Sequence, residues 1–311
     1  NNNDTNTVIN AEYESRLLKL QNTKCIQPYV ILHLYSGRTN PQWRINLNQL
    51  RTIKSFINQT YHMLKANKKI TERVLGYQGF SVRCQKTAKA SVNINDDDND
   101  DILITGLSKV EYYLLSTGRR YMKQSTLEHV QKHIGEFTVI QQSKINTNNK
   151  NLQSNSICNR TPIVGPDTVP HYNPYLDNYG CFTKMVTRNN CYAYDIVTNT
   201  FPQPGRGSGK QWKNFTCANV GKTSENDGLL NNIGKINEGG HYVALLIWPN
   251  NDFHWVRKDS NDYWSHKPGS TPIRNRDSRG NPIRNPSNAN FYPYTIFCSY
   301  YIARPSKLKI K

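Results

Sequence analysis

The C-terminal half of the chain holds the three residue types that nucleophilic chemistry needs: a cysteine, histidines and a carboxylate. Cys191 directly follows Asn190, a good helix-capping residue, and opens Cys191-Tyr-Ala-Tyr-Asp-Ile-Val197, which reads as a short helix. In the first turn of a helix, backbone N–H groups and the positive helix end favour thiolate over thiol and can hold a developing oxyanion. A neighbouring imidazole then pairs with the sulfur and later protonates the leaving group. A third polar group fixes the tautomer of that imidazole. Two assignments stay open. In the first, His254 is the base and His266 or Asp259 orients it; in the second, His241 is the base and His254 takes the third position. The first is preferred, because Asn251-Asp252 marks the start of a strand, where active-site groups commonly sit. Hairpin register bears on the choice: a three-residue loop puts His254 and His266 on one face, and a two-residue loop separates them. The same Cys and His side chains are zinc-ligand types, but no short-spaced ligand pair exists, so neither metal nor cofactor is assigned.

The thiol count sharpens the role of Cys191. Seven cysteines occur, at Cys25, Cys84, Cys158, Cys181, Cys191, Cys217 and Cys298. In a secreted chain an odd number implies three disulfides and one unpaired thiol, a candidate nucleophile. Cys25 and Cys84 flank strands and can pair with each other; the connectivity of the remaining five is open. Four sequons, at Asn3, Asn58, Asn159 and Asn214, add weak support for secretion, with a signal peptide taken as already removed.

The elements that must position these groups are legible in outline. Residues 1–24 read as a polar arm with a short helical stretch at Tyr13–Leu20. A small α+β domain of unknown role follows at 25–140. Its strands are Tyr29–Tyr35, Trp43–Asn46, Phe80–Cys84 and Ile102–Ile104. Leu50, Ile53, Ile57, Tyr61 and Leu64 recur at helical spacing over Leu47–Leu64, and two further helices are expected at Ser108–Ser116 and Ser125–Ile134. Asp96–Asp101 lacks the Gly and terminal Glu of a calcium loop and reads as a solvated tip. The Asn-rich stretch 141–156 has almost nothing to bury and is the linker. The second domain, 157–311, is expected to be α+β with an antiparallel sheet. His241–Trp248 is its central strand, Phe253–Lys258 and Tyr263–His266 form a hairpin around Ser260-Asn261, and Tyr294–Tyr301 closes the sheet. Pro-Ile-Arg-Asn occurs at 272–275 and again at 282–285 around Ser278-Arg279-Gly280, an exposed hairpin. Trp248, Trp255, Trp264 and the tyrosines read as core residues, some of which could line a cleft.

A Cys-bearing helix, an apolar strand and His-bearing strands, in that order over Asn189–His266, resemble the papain-like cysteine hydrolases, in particular the NlpC-type cell-wall peptidases and amidases. The resemblance implies a papain-like second domain cleaving amide bonds, with Cys191 as nucleophile and a peptide or cell-wall-like substrate. The Gln ahead of the Cys helix and the aromatic-Gly context of that family are absent. Tyr35–Trp43 and the stretches Asp252–Trp255 and Trp264–Gly269 are also similar to segments of uncharacterised proteins, which suggests only that the two halves occur as a unit.

Charge narrows the partners little. The 311 residues carry 40 Lys+Arg against 22 Asp+Glu, a formal net charge of +18, split evenly at +9 on either side of Asn155. A uniformly basic surface attracts anionic polymers without choosing among them. No zinc-finger spacing, phosphate loop or RNA-recognition consensus marks specific nucleic-acid binding. No apolar run is long enough for a membrane-spanning helix. The leading reading is a secreted cysteine hydrolase. The alternative is a non-enzymatic, disulfide-stabilised structural, storage or self-assembling protein, which high Asn and Tyr content and long polar loops fit equally well.

Overall fold

The computed structural model describes residues 15, 17, 18, 20–22, 25–60, 70–71, 75–84, 103–138, 164–174, 182, 189–231 and 239–309. The stretch 141–156, the acidic tip Asp96–Asp101, most of the N-terminal arm, Cys158 and Cys181 lie outside these residues. The chain forms two compact units. The first comprises Asn1–Leu34, Asn40–Arg73 and Tyr77–Val139; the second comprises Tyr35–Thr39, Val74–Gly76 and Ile140–Lys311. Helices and sheets occur in both, and the fold class is α+β.

In the first unit, strands β1 (Pro28–His33), β2 (Gln42–Arg44), β4 (Gly79–Cys84) and β5 (Leu103–Ile104) form an antiparallel sheet in the order β2-β1-β4-β5. Strands β3 (Ile70–Thr71) and β6 (Phe137–Thr138) pair in parallel. Strand β1 alternates as its sequence dictates, with Val30 and Leu32 buried between half-buried Tyr29, Ile31 and His33. Helix α1 (Leu47–Thr60) starts on a reciprocal cap: Asn46 Oδ1 accepts from the Gln49 amide and Gln49 Oε1 accepts from the Asn46 amide, both at 2.8 Å. Its buried face is Leu50, Ile53 and Ile57, while Tyr61 and Leu64 lie outside the described residues. Helices α2 (Ser108–Gly118) and α3 (Gln124–His133) complete the unit. Gly118 is required by packing, since a Cβ there would sit 2.4 Å from the Trp43 indole. Cys25 and Cys84 are bridged beside the Pro28–Cys84 register pair.

The second unit is built on an antiparallel sheet in the order β10-β7-β8-β9, formed by β7 (His241–Trp248), β8 (Asp252–Lys258), β9 (Trp264–Ser265) and β10 (Ile296–Ala303). The apolar run of β7 makes it an inner strand, buried along nearly its whole length. Helices α4 (Cys191–Asp195) and α5 (Cys217–Asp227) cover one face. There Cys191, Tyr192 and Val220 pack on Val243, Leu245, Ile247, Phe253, Trp255 and Tyr301. Each large apolar side chain fully removed from water contributes on the order of 2 kcal/mol.

Helix α5 was not expected from the sequence. Gly221, Thr223, Ser224 and Asn226 give it weak intrinsic propensity, and its ends carry the signal instead. Thr216 Oγ1 accepts from the Asn219 amide (3.2 Å), and Gly228 closes the helix in the left-handed region with φ 112°. Cys217 at its start is bridged to Cys298 on β10, closing a separation of 81 residues.

A loop of that length carries a large chain entropy when cut free. Replacing Cys217 and Cys298 together by Ala should lower the stability of the protein by about 2–5 kcal/mol, read from urea denaturation under non-reducing conditions.

Candidate functional site

The pleat of β8 decides what its side chains can meet. Phe253 and Trp255 point toward α4 and α5, in the cluster that holds Cys191. Asp252 and His254 emerge on the reverse face, where the His254 ring lies 4.9 Å from His266, 5.3 Å from Tyr294 and 6.0 Å from Phe291. The β8–β9 turn keeps Ser260–Asp262 inside the Asp259–Tyr263 backbone pair, a three-residue loop with Asp262 at φ 65°. Pairing of Arg257 with Ser265 and Lys258 with Trp264 then puts His266 on the same face as His254.

A residue missed at the sequence level links the two faces. Ser36 Oγ lies 2.6 Å from His254 Nδ1, and its hydroxyl is also hydrogen-bonded to the Cys191 sulfur, which accepts from the Trp255 amide. His254 Nε2 is 2.8 Å from His266 Nδ1, and His266 Nε2 is 2.9 Å from the Arg276 carbonyl. The carbonyl can only accept, so His266 carries its proton on Nε2. Burial holds both imidazoles neutral, with the Arg274 charge adding to it at His266: His266 is lowered to about 4 and His254 well below its usual value. With His266 Nδ1 therefore an acceptor, His254 Nε2 must donate, His254 Nδ1 must accept, and the Ser36 hydroxyl must donate. The proton order runs one way, from the Ser36 hydroxyl to His254, to His266 and on to the Arg276 carbonyl. The Gly269 amide, 3.2 Å from Ser36 Oγ, fills the remaining acceptor position.

Asp252 fixes the segment that carries Ser36. Its Oδ2 accepts from the amides of Ser36 (2.7 Å) and Gly37 (3.1 Å) and from the Tyr294 hydroxyl (2.6 Å), and its Oδ1 accepts from the Arg38 amide (3.1 Å). Three successive N–H groups thus form a nest for one carboxylate. Burial pushes Asp252 up to about 6, against the pull of these donors, so it is ionised at pH 7. Gly37 must be glycine, because a Cβ would lie 2.3 Å from the Phe253 ring. Asn190 clamps the same segment: its Nδ2 donates to the carbonyls of Gly37 (2.7 Å) and Pro202 (2.8 Å) while its Oδ1 caps α4 through Ala193 N (2.9 Å).

The five residues singled out in the sequence therefore separate. Cys191, His254 and His266 share one hydrogen-bonded chain through Ser36, but no imidazole takes the proton of the thiol directly. Asp259 accepts from Arg257 Nε (3.0 Å), and Arg257 also reaches the Tyr194 carbonyl (3.1 Å) and lies 3.8 Å over the Tyr194 ring. His241, lowered to about 4 by burial, donates from Nε2 to the Asp195 carbonyl (2.6 Å), on another part of the unit.

The surroundings of the thiol favour its protonated form. Asn190 caps α4 as anticipated, but burial, with the carboxylates of Asp252 and Asp195, pushes the Cys191 thiol well above its usual range. Lys267, itself lowered to about 7 by burial, faces Cys191 and donates to the carbonyls of Asn189 (3.2 Å) and Gly269. Cys191, His254 and His266 have no exposed surface and Ser36 keeps 2% of its own, so the chain of hydrogen bonds is sealed from solvent. Among the described residues, no group of three or more His, Cys, Asp or Glu is placed to hold a metal ion, and no helix is long and apolar enough to cross a membrane.

Fold and site together define a disulfide-braced α+β protein whose polar cluster is built into the interior. No family model matches the chain, and no solved structure matches it. Over 115 residues, 36% of its length, the chain is 42% identical to Insoluble matrix shell protein 1 of Ruditapes philippinarum, and the match covers 78% of that protein. The chain belongs to the family of Insoluble matrix shell protein 1. This overturns the resemblance to papain-like and NlpC-type cysteine hydrolases: the order of Cys helix and His strands recurs here in a different family.

Two measurements probe the cluster. Asp252→Asn keeps the shape but turns an amide N–H₂ toward amide donors, and should cost about 2–4 kcal/mol in urea denaturation at pH 7. For His266 the unfolded chain takes up a proton near pH 6.5, the folded protein only near 4. Wild type thus loses about 3 kcal/mol from this group as pH falls through that window, a loss absent from His266→Gln. The stability gap between wild type and His266→Gln should narrow on going from pH 7 to about pH 4, measured by paired urea melts.

Proposed function

We propose that the chain is a secreted structural protein of an insoluble extracellular shell matrix, acting as a folded, disulfide-locked constituent and not as a hydrolase. The observation that carries this reading is the 42% identity reaching across 78% of Insoluble matrix shell protein 1. Among the described residues, the bridges Cys25–Cys84 and Cys217–Cys298 fit an oxidising compartment outside the cell. The sealed site fits as well. A nucleophile needs access and a lowered pKa, whereas Cys191 is buried and raised. Its hydrogen-bonded neighbours instead satisfy one another inside the second unit, the role of a buried polar network that specifies a single packing. Sequons at Asn58 and Asn214 fall on exposed residues and are open to glycosylation in the secretory pathway. The partners of this reading are other matrix components and further copies of the chain.

Antibodies raised against the folded protein should label the acid-insoluble fraction of the source animal's shell, and reduction should increase the amount extracted. Signal confined to cell lysates, with none in the demineralised matrix, would overturn the proposal.

A further inference from the structure

The repeated Pro-Ile-Arg-Asn segments found in the sequence fold back on one another in the second unit. Arg276 bridges Pro282, the Ile283 amide donates to the Asn275 carbonyl (3.1 Å), and Trp264 bridges Ile283. Alternation along this ribbon buries Ile273 and Ile283 on one side. The opposite side carries Arg276 and Arg284, with Arg279 at the tip; all three are exposed.

The ribbon is held rigidly, and its own carboxylate is used up in holding it. Asp277 is the sole acidic residue between Thr271 and Ala303. It is buried, with Oδ1 accepting from the amides of Arg279 and Asn281 (2.9 Å each) and Oδ2 from the Asn290 amide (3.1 Å). The turn closes through the Gly280 amide on the Asp277 carbonyl (3.0 Å), with Gly280 at φ 81°. Arg276 donates to the Gly280 carbonyl (2.8 Å), and the Arg284 guanidinium lies 5.0 Å from the Tyr263 ring centroid. On the neighbouring turn Asp262 is engaged by Lys258 at 2.9 Å. The Arg276 and Arg284 guanidinium groups are thus preorganised, and no carboxylate of the ribbon faces them.

We propose that this arginine ribbon is a docking surface for an extended acidic polypeptide. Guanidinium forks match carboxylates bidentately. Arg276 and Arg284 stand in a diagonal cross-strand relation, about 7–8 Å apart. An extended peptide presents same-face side chains about 7 Å apart, so alternate acidic residues fall in step with the two arginines. This spacing favours an acidic strand over a polymer whose charges lack that period. The proposal rests on the matrix reading only for where such a partner is met.

The test is binding of the full-length oxidised protein to immobilised poly-L-aspartate at about 0.15 M salt. The triple variant Arg276→Gln, Arg279→Gln, Arg284→Gln should bind about tenfold more weakly than wild type. A control, Arg51→Gln, Arg119→Gln, Lys132→Gln, removes the same formal charge from exposed positions of the first unit and should change binding by less than about twofold. Equal losses in the two triples would reduce the effect to net charge and overturn the proposal. The variant Arg276→Lys, Arg279→Lys, Arg284→Lys keeps the charge and guards against a fold defect in the glutamine triple. It should still bind more weakly, and wild-type affinity would overturn bidentate recognition. Should heparin separate ribbon from control while poly-L-aspartate does not, the partner is a sulfated polysaccharide and the acidic-peptide assignment falls. Ribbon-dependent binding by a protein missing from the matrix would sink the matrix reading alone. A matrix-resident protein without such binding would sink only the docking surface.

Discussion

One buried carboxylate organises the second unit. Asp252 receives the amides of Ser36, Gly37 and Arg38, residues 214 to 216 positions away in sequence, together with the Tyr294 hydroxyl. An ionised group without those four donors would be costly to bury, and three adjacent amides without an acceptor would be costly too. Each therefore requires the other, and the requirement fixes where Ser36 stands. From that position follow the hydrogen bond to His254, the contact with Cys191 and the close approach of Gly37 to Phe253.

The resulting polar chain has the composition of catalytic machinery and the electrostatics of a core. Its histidines are neutral because burial penalises their charged forms, and its thiol stays protonated for the same reason. Catalysis needs one member poised to change charge in contact with a substrate. Here the protons of Ser36, His254 and His266 each have a fixed acceptor, ending on the Arg276 carbonyl.

Much of the local structure was legible because it depends on near neighbours. The alternation of Val30 and Leu32, the spacing of Leu50, Ile53 and Ile57, the apolar run of β7 and the Asn190 cap each follow from a few adjacent residues. The Cys25–Cys84 bridge was legible from flanking strands. Helix α5 was not, since its signal lay in Thr216 and Gly228 at the ends and not in its interior. The partners of His254 were hidden for another reason. Its nearest acceptors and donors come from Ser36 and from the other side of a hairpin, and no periodicity encodes a contact across 218 residues. Strand parity did carry one usable hint: Phe253 and Trp255 as core residues already placed His254 on the face opposite the Cys191 helix.

The Cys217–Cys298 bridge encloses α5, the three strands β7 to β9 and the arginine ribbon within a single covalent ring. A peptide bond broken anywhere inside that ring leaves both fragments joined and still held by the sheet. A ring of this kind lets the molecule keep its shape through a first cut.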